Sequence, residues 1–121
     1  MYHGILIDQE FKNNSFPQKF KQFAKKQDGS WEIYGVEIED DQLENTIREI
    51  QENMKDEENW YAHLYNEEKL IVIFKNRVFK TNKDKDSLKK IIDYGKQLNI
   101  PEEQLDFYPD NFQKEKDYFK V

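Results

Sequence analysis

Hydrophobic positions along the chain fall into short runs with two distinct periods. In residues 31–38, Tyr34, Val36 and Ile38 alternate with polar neighbours on one face, while Trp31 and Ile33 take the other. That period of two predicts a strand. Residues 5–8, extending back toward Tyr2, predict a first strand. Residues 60–65, 69–74 and 77–81 predict three more, joined by short turns as an antiparallel meander.

The second period is helical. Leu43, Ile47, Ile50 and Met54 form one narrow apolar stripe and predict a helix over 42–55. Asp41 is its expected N-cap, with Glu44 three residues on in capping-box position. A second helix is expected over 87–98, capped by Asp86, with Leu88, Ile91, Ile92 and Leu98 inward. Asn99-Ile100-Pro101 stops it, and 101–105 adds at most one turn. Ser15-Phe16-Pro17 predicts the start of a short helix, because Pro fits a first turn and Phe16, Phe20 and Phe23 follow helical spacing. Asp28-Gly29 is a turn signal.

The resulting order is β-α-β-α-β-β-β-α. It implies an α+β fold with a mostly antiparallel sheet and helices packed on one face, and a ferredoxin-like split β-α-β unit fits within it. Residues 1–108 read as one compact domain, and 109–121 as a tail free to fray. Residues 77–81 read as an edge strand whose Lys and Arg discourage open pairing.

Composition sets a condition on this picture. Of 121 residues, 36% are charged and 36% hydrophobic, and the mean hydropathy is −1.09. So polar a chain risks remaining unfolded. Two Trp, seven Tyr and nine Phe supply large apolar area per residue, which argues for a folded core.

Net charge is −6, which argues against duplex DNA, where affinity comes from neutralising phosphates. The average hides segregation. Residues 31–58 carry eleven acids against Arg48 and Lys55, whereas 59–100 carry nine bases against five acids, and 1–30 carry five Lys against three acids. Two readings follow: ordinary solvated faces, or a dipolar molecule that steers one charged partner to one side.

Several chemistries lack their residues. With no cysteine there are no disulfides, thiol nucleophiles or Cys-ligated metals. His3 and His63 stand sixty residues apart without metal-ligand spacing, and the acidic runs lack the glycine of a calcium loop, so no metal site is expected. The isolated glycines at 4, 29, 35 and 95 build no phosphate loop, and no cofactor is expected. Ser15, Ser30, Ser87, Thr46 and Thr81 lie in no nucleophile elbow. The longest apolar run, Leu70–Phe74, is far short of the ~20 residues that cross a bilayer. The N-terminal residues lack a basic, signal-like start, and the expected location is the cytoplasm.

One constellation remains. Alternation in Trp60-Tyr61-Ala62-His63-Leu64-Tyr65 puts Tyr61, His63 and Tyr65 on one face. If the helices cover the Trp60 side, this row lies on an open sheet face. It could then stack rings or bases, with Lys75, Arg77 and Lys80 on a phosphate backbone, as single-strand-binding sheets do. It could instead place His63 as a general base between two phenols. Cross-strand packing is the plainer reading of the same rings. The expectation is a non-catalytic binding or regulatory module acting on another protein, or on a second copy, through this aromatic face or through the acidic helix face of Glu44, Glu49 and Glu52. The alternatives are a small enzyme centred on His63 and a single-stranded nucleic-acid binder using Tyr61, His63, Tyr65 and Arg77.

Overall fold

The structure is a computed structural model that describes residues 1–120. Its strands are β1 (Tyr2–Ile7), β2 (Lys21–Asp28), β3 (Trp31–Ile38), β4 (Tyr61–Tyr65), β5 (Leu70–Phe74) and β6 (Arg77–Thr81). They form one antiparallel sheet in the order β2-β3-β1-β4-β5-β6. The helices are α1 (Leu43–Asn53), α2 (Lys85–Gln97) and α3 (Glu115–Phe119), with 3-10 turns between elements. The class is α+β, and the meander β4-β5-β6 runs as its turn chemistry predicts. Because β3 and β4 both run antiparallel to β1, they are parallel to each other, and α1 connects them across β1. That is a split β-α-β unit.

Both faces of the sheet are covered, which corrects the expectation of helices on one face only. Leu6, Val36, Leu64, Ile71 and Ile73 lie with Ile47 and Ile50 of α1 and with Met54 just after it in one core. Ile5, Ile33, Tyr65, Val72 and Phe74 lie in a second core with Ile91 of α2 and with Ile100, Leu105, Phe107 and Phe119. β5 shows the reason in its sequence. All five residues of Leu70–Phe74 are buried, and a strand apolar on both phases needs a layer on each side.

The helix expected after Ser15 is a single 3-10 turn, Phe16–Lys19, followed by β2. Phe16 and Phe20 join the α1-side core, whereas Phe23 packs on the opposite face, so their helical spacing does not mark one stripe. Pairing with β3 through the two-residue Gly29-Ser30 loop overrides the helical propensity of the Lys/Gln-rich segment. Gly29 at φ 61° supplies the positive angle that this loop requires. A register shift between Gln22 and Ala24 and three lysines blunt β2, which is an edge strand like β6.

Helix starts shift as well. Asp84, not Asp86, caps α2, its side chain accepting from the Ser87 N–H, and Asp86 falls inside the first turn. The run Asp40–Gln42 tightens into a 3-10 turn before α1, so Asp41 is no cap and Glu44 closes no capping box.

After Pro109 the chain runs back across the second face. α3 buries Glu115 and Phe119, and Val121 lies outside the described residues. Two glycines admit this return. A Cβ on Gly35 would come within 2.6 Å of Phe23 and 2.9 Å of Phe119, and one on Gly95 within 2.7 Å of Leu105.

Candidate functional site

β4 holds the returning segment residue by residue. Its alternation turns Tyr61, His63 and Tyr65 to the second face, as the pattern predicts, but that face is not open. The Tyr61 hydroxyl donates to the Gln104 carbonyl at 2.5 Å. His63 Nε2 lies 2.8 Å from the Pro109 carbonyl, and because a carbonyl only accepts, that nitrogen carries the proton. The Tyr65 hydroxyl donates to Glu115 Oε2 at 2.5 Å. The same oxygen lies 2.5 Å from His3 Nδ1, and the His3 ring stacks on Phe23 at 4.3 Å and meets Phe112 at 4.4 Å. His63 and Tyr65 are buried and Tyr61 is half-buried. The row is an anchor under a second layer, which corrects the premise of an exposed stacking platform.

Beside the anchor the second layer leaves a cavity of about 270 Å³. The sheet contributes Ile5, Ile7, Tyr61 and His63 to it, and the returning segment contributes Gln104, Asp106, Tyr108 and Tyr118. Trp31 at the start of β3 and Trp60 just before β4 complete the aromatic wall, their rings 5.5 Å apart at 60°. A backbone excursion shapes it. Phe107 has φ 51°, a left-handed conformation unusual for a bulky residue. Its ring is buried against Tyr61 at 5.5 Å, while its neighbours Asp106 and Tyr108 line the cavity.

The titratable groups here are displaced from their ordinary values. Glu10, in the 3-10 turn Asp8–Glu10, is 1% exposed and lines the cavity. Its Oε1 accepts from the Ile7 N–H at 3.1 Å. Burial pushes its carboxyl well above the usual carboxylate range, the Ile7 hydrogen bond opposes this, and nearby Asp8 adds to it. Burial lowers His63 to about 4, so its imidazole is neutral at pH 7. Burial, with Asp106 next in effect, pushes Tyr61 up and raises Tyr118 to about 12. The site therefore presents a buried carboxyl, a neutral imidazole with a fixed tautomer, and phenols that keep their protons.

Other sequence candidates are placed elsewhere. The Arg77 guanidinium lies 4.6 Å over Phe79 and 5.5 Å from the Tyr94 ring of α2, away from the cavity lining. Lys75 donates to the carbonyls of Gln51 and Met54, closing the C-terminus of α1. Lys80 pairs with Glu44 and Lys19 with Glu49, while Glu52 is exposed on the same helix. Lys12 and Lys75 reach Asp56, Lys25 reaches Glu32 and Lys21 reaches Glu37. The segregated charges of the sequence thus meet in the fold, which accounts for much of the pattern without a charged partner.

None of Ser15, Ser30, Ser87, Thr46 and Thr81 lines the cavity. Among the described residues no group of three or more His, Asp or Glu could hold a metal ion, and no helix is long and apolar enough to cross a membrane. Glu10, Trp31, Trp60, Asp106, Tyr108 and Tyr118 enter the site without a local motif. The one available signal was an acid, Glu10, set beside Phe11 in the short polar stretch that follows the apolar strand. No protein-family model matches the chain, and neither a curated protein nor a solved structure is significantly similar to it.

Proposed function

We propose that the protein is a binding module whose working site is the aromatic-walled cavity beside Tyr61 and His63, rather than a sheet face. The carrying observation is that both tryptophans of the chain, three tyrosines and the buried Glu10 carboxyl converge on one cavity. An apolar pocket with a few convergent polar groups and displaced titrations is the usual signature of a ligand site. Its volume sits just under the roughly 300–1,000 Å³ typical of such sites, which favours a small ligand or a single protruding group. The acidic face of α1 ranks below it as a protein-docking surface, because Lys80 and Lys19 already occupy two of its three candidate acids.

The test is an NMR fragment screen on the ¹⁵N-labelled chain, read at the Trp31 and Trp60 indole N–H signals. Binding fragments move both indole signals and neighbouring amides of Tyr61 and Tyr108. A chemically broad panel that leaves both indoles unmoved overturns the proposal.

The enzyme reading keeps one supporting observation: Glu10 and His63 line the same cavity with shifts of opposite sign, as an acid–base pair would. Chemical change in a bound fragment, lost in Glu10→Gln and His63→Gln while binding persists, would place catalysis first.

A further inference from the structure

We infer that the cavity selects an organic cation with an alkylated ammonium head. This rests on the binding role proposed above and narrows it to a ligand class. Three features converge. First, the walls are rings, whose π faces attract cations, and indole does so most strongly. Second, the acidic residues lining the cavity are Glu10, Glu103 and Asp106, with no Lys or Arg among the lining. Glu103 and Asp106 are exposed, while Glu10 is buried, so two carboxylates stand on the solvent side of a chamber walled mainly by rings.

Third, two of the rings already hold cations of the protein itself. Lys26 Nζ lies 3.6 Å from the centroid of Tyr118, and Lys114 Nζ lies 5.8 Å from that of Tyr108. Among the described residues no lysine or arginine lies over Trp31 or Trp60. The strongest ring acceptors in the cavity are therefore the ones without a cation. An anion would meet the exposed Glu103 and Asp106 carboxylates, with no Lys or Arg in the lining to offset them. A bare metal ion needs several converging oxygen ligands, and no group of three or more His, Asp or Glu among the described residues is placed to hold one. An alkylated ammonium, weakly hydrated and apolar on its surface, suits both the walls and the charge.

The cavity's two tryptophans are the only ones in the chain, so intrinsic fluorescence reads its occupancy directly. The experiment titrates the full chain with choline and, separately, with 3,3-dimethylbutan-1-ol, its neutral isostere. We expect a saturable fluorescence change with choline and about tenfold weaker binding of the isostere. In the double variant Glu103→Gln/Asp106→Asn, checked for an unchanged melting curve, choline should weaken several-fold while the isostere does not change. A short peptide carrying trimethyllysine forms a third arm. Tighter binding of the peptide identifies a protein side chain as the source of the ammonium, and tighter choline a free small molecule.

Equal affinities for choline and the isostere, or no saturable response to either cationic probe, overturn the inference. Failure here is separable from failure of the binding role. If neutral or anionic fragments still move the indole N–H signals, the cavity binds but does not select cations. If nothing moves them, both fall.

Discussion

The two faces of the sheet are built from the same strands but solve different problems. On the α1 side, an amphipathic helix lays Ile47 and Ile50, with Met54 following, onto Leu6, Val36 and Leu64. The hydrophobic cluster there is aliphatic and aromatic, and charges stay on the outer side of the helix. On the other side, α2 covers only part of the sheet, and an irregular segment closes the rest through polar contacts to Tyr61, His63 and Tyr65, the last two buried. The Gln104 and Pro109 carbonyls lie outside any strand ladder, and strand side chains supply their donors. The same irregularity leaves room for a cavity. The regular face supplies stability, and the irregular face supplies a place where something can bind.

The sharpest break in this comparison comes from truncating each face in turn. Ile50 is fully buried in the α1-side core. Ile50→Ala should cost roughly 2–5 kcal/mol in urea unfolding, from lost burial plus a residual cavity. It should leave the fluorescence response to cavity ligands intact below the transition. A variant that lost ligand response while still folded would mean the faces are not independent.

The second face carries the acid sensitivity. His63 is held neutral, with its pKa lowered from 6.5 to about 4 mainly by burial. Below pH 6.5 the unfolded chain binds a proton that the folded chain refuses until about pH 4. The stabilisation from neutral burial is therefore full above pH 6.5 and is lost as the pH falls through that window. The full loss is on the order of 3 kcal/mol. Glu10 works in the opposite sense. Its raised pKa gives stability that is present below the ordinary carboxylate range and lost as the pH rises. His63→Gln should flatten the acid side of the stability profile, and Glu10→Gln should stabilise the protein on the alkaline side. Thermal melts from pH 4 to 8 separate the two. An unchanged acid slope in His63→Gln would remove the buried-imidazole account.

A smaller effect tests the anchor itself. Tyr65→Phe removes the hydroxyl that donates to Glu115 while keeping the ring. The expected cost is roughly 1–3 kcal/mol, because the buried Glu115 Oε2 keeps only His3 as a partner. Hydrogen exchange should rise in α3 and around Pro109 but not in α1. Uniform loss of protection across both faces would show one cooperative unit rather than a separately anchored layer.

The α1 side was largely legible in the sequence because it obeys periodicity. Leu43, Ile47, Ile50 and Met54 announced a stripe, and the alternation of Tyr34, Val36 and Ile38 announced the surface beneath it. The face of Tyr61, His63 and Tyr65 was legible too, but not its burial. What covers it is a segment whose contacts run through Gln104 O, Pro109 O and Glu115, 43 to 50 residues away in sequence. Carbonyl acceptors carry no side-chain signature. The misread helix at Phe16, Phe20 and Phe23 has a related cause: three aromatics at helical spacing also fit a turn followed by an edge strand. Only the pairing of β2 with β3 distinguishes the two. The cavity was invisible because its walls come from five separate stretches with no shared motif.

The smallest expected effect lies back on the α1 side, where the segregated charges meet. Glu44 and Lys80 link α1 to β6, with about two-thirds of the Glu44 side chain and half of the Lys80 side chain exposed to solvent. Such pairs gain little, because water screens the attraction and ordering two long side chains offsets part of it. A double-mutant cycle with Glu44→Gln and Lys80→Met should give a coupling below about 1 kcal/mol that shrinks further in high salt. That result would fit charge segregation serving to match segments within the chain at little energetic gain. A coupling well above that, insensitive to salt, would mean the pair is far less hydrated than its exposure implies. A triple reversal of Glu44, Glu49 and Glu52 to Lys then probes the acidic face as a docking surface. Unchanged pulldown partners, alongside an intact cavity response, would assign recognition to the irregular face alone.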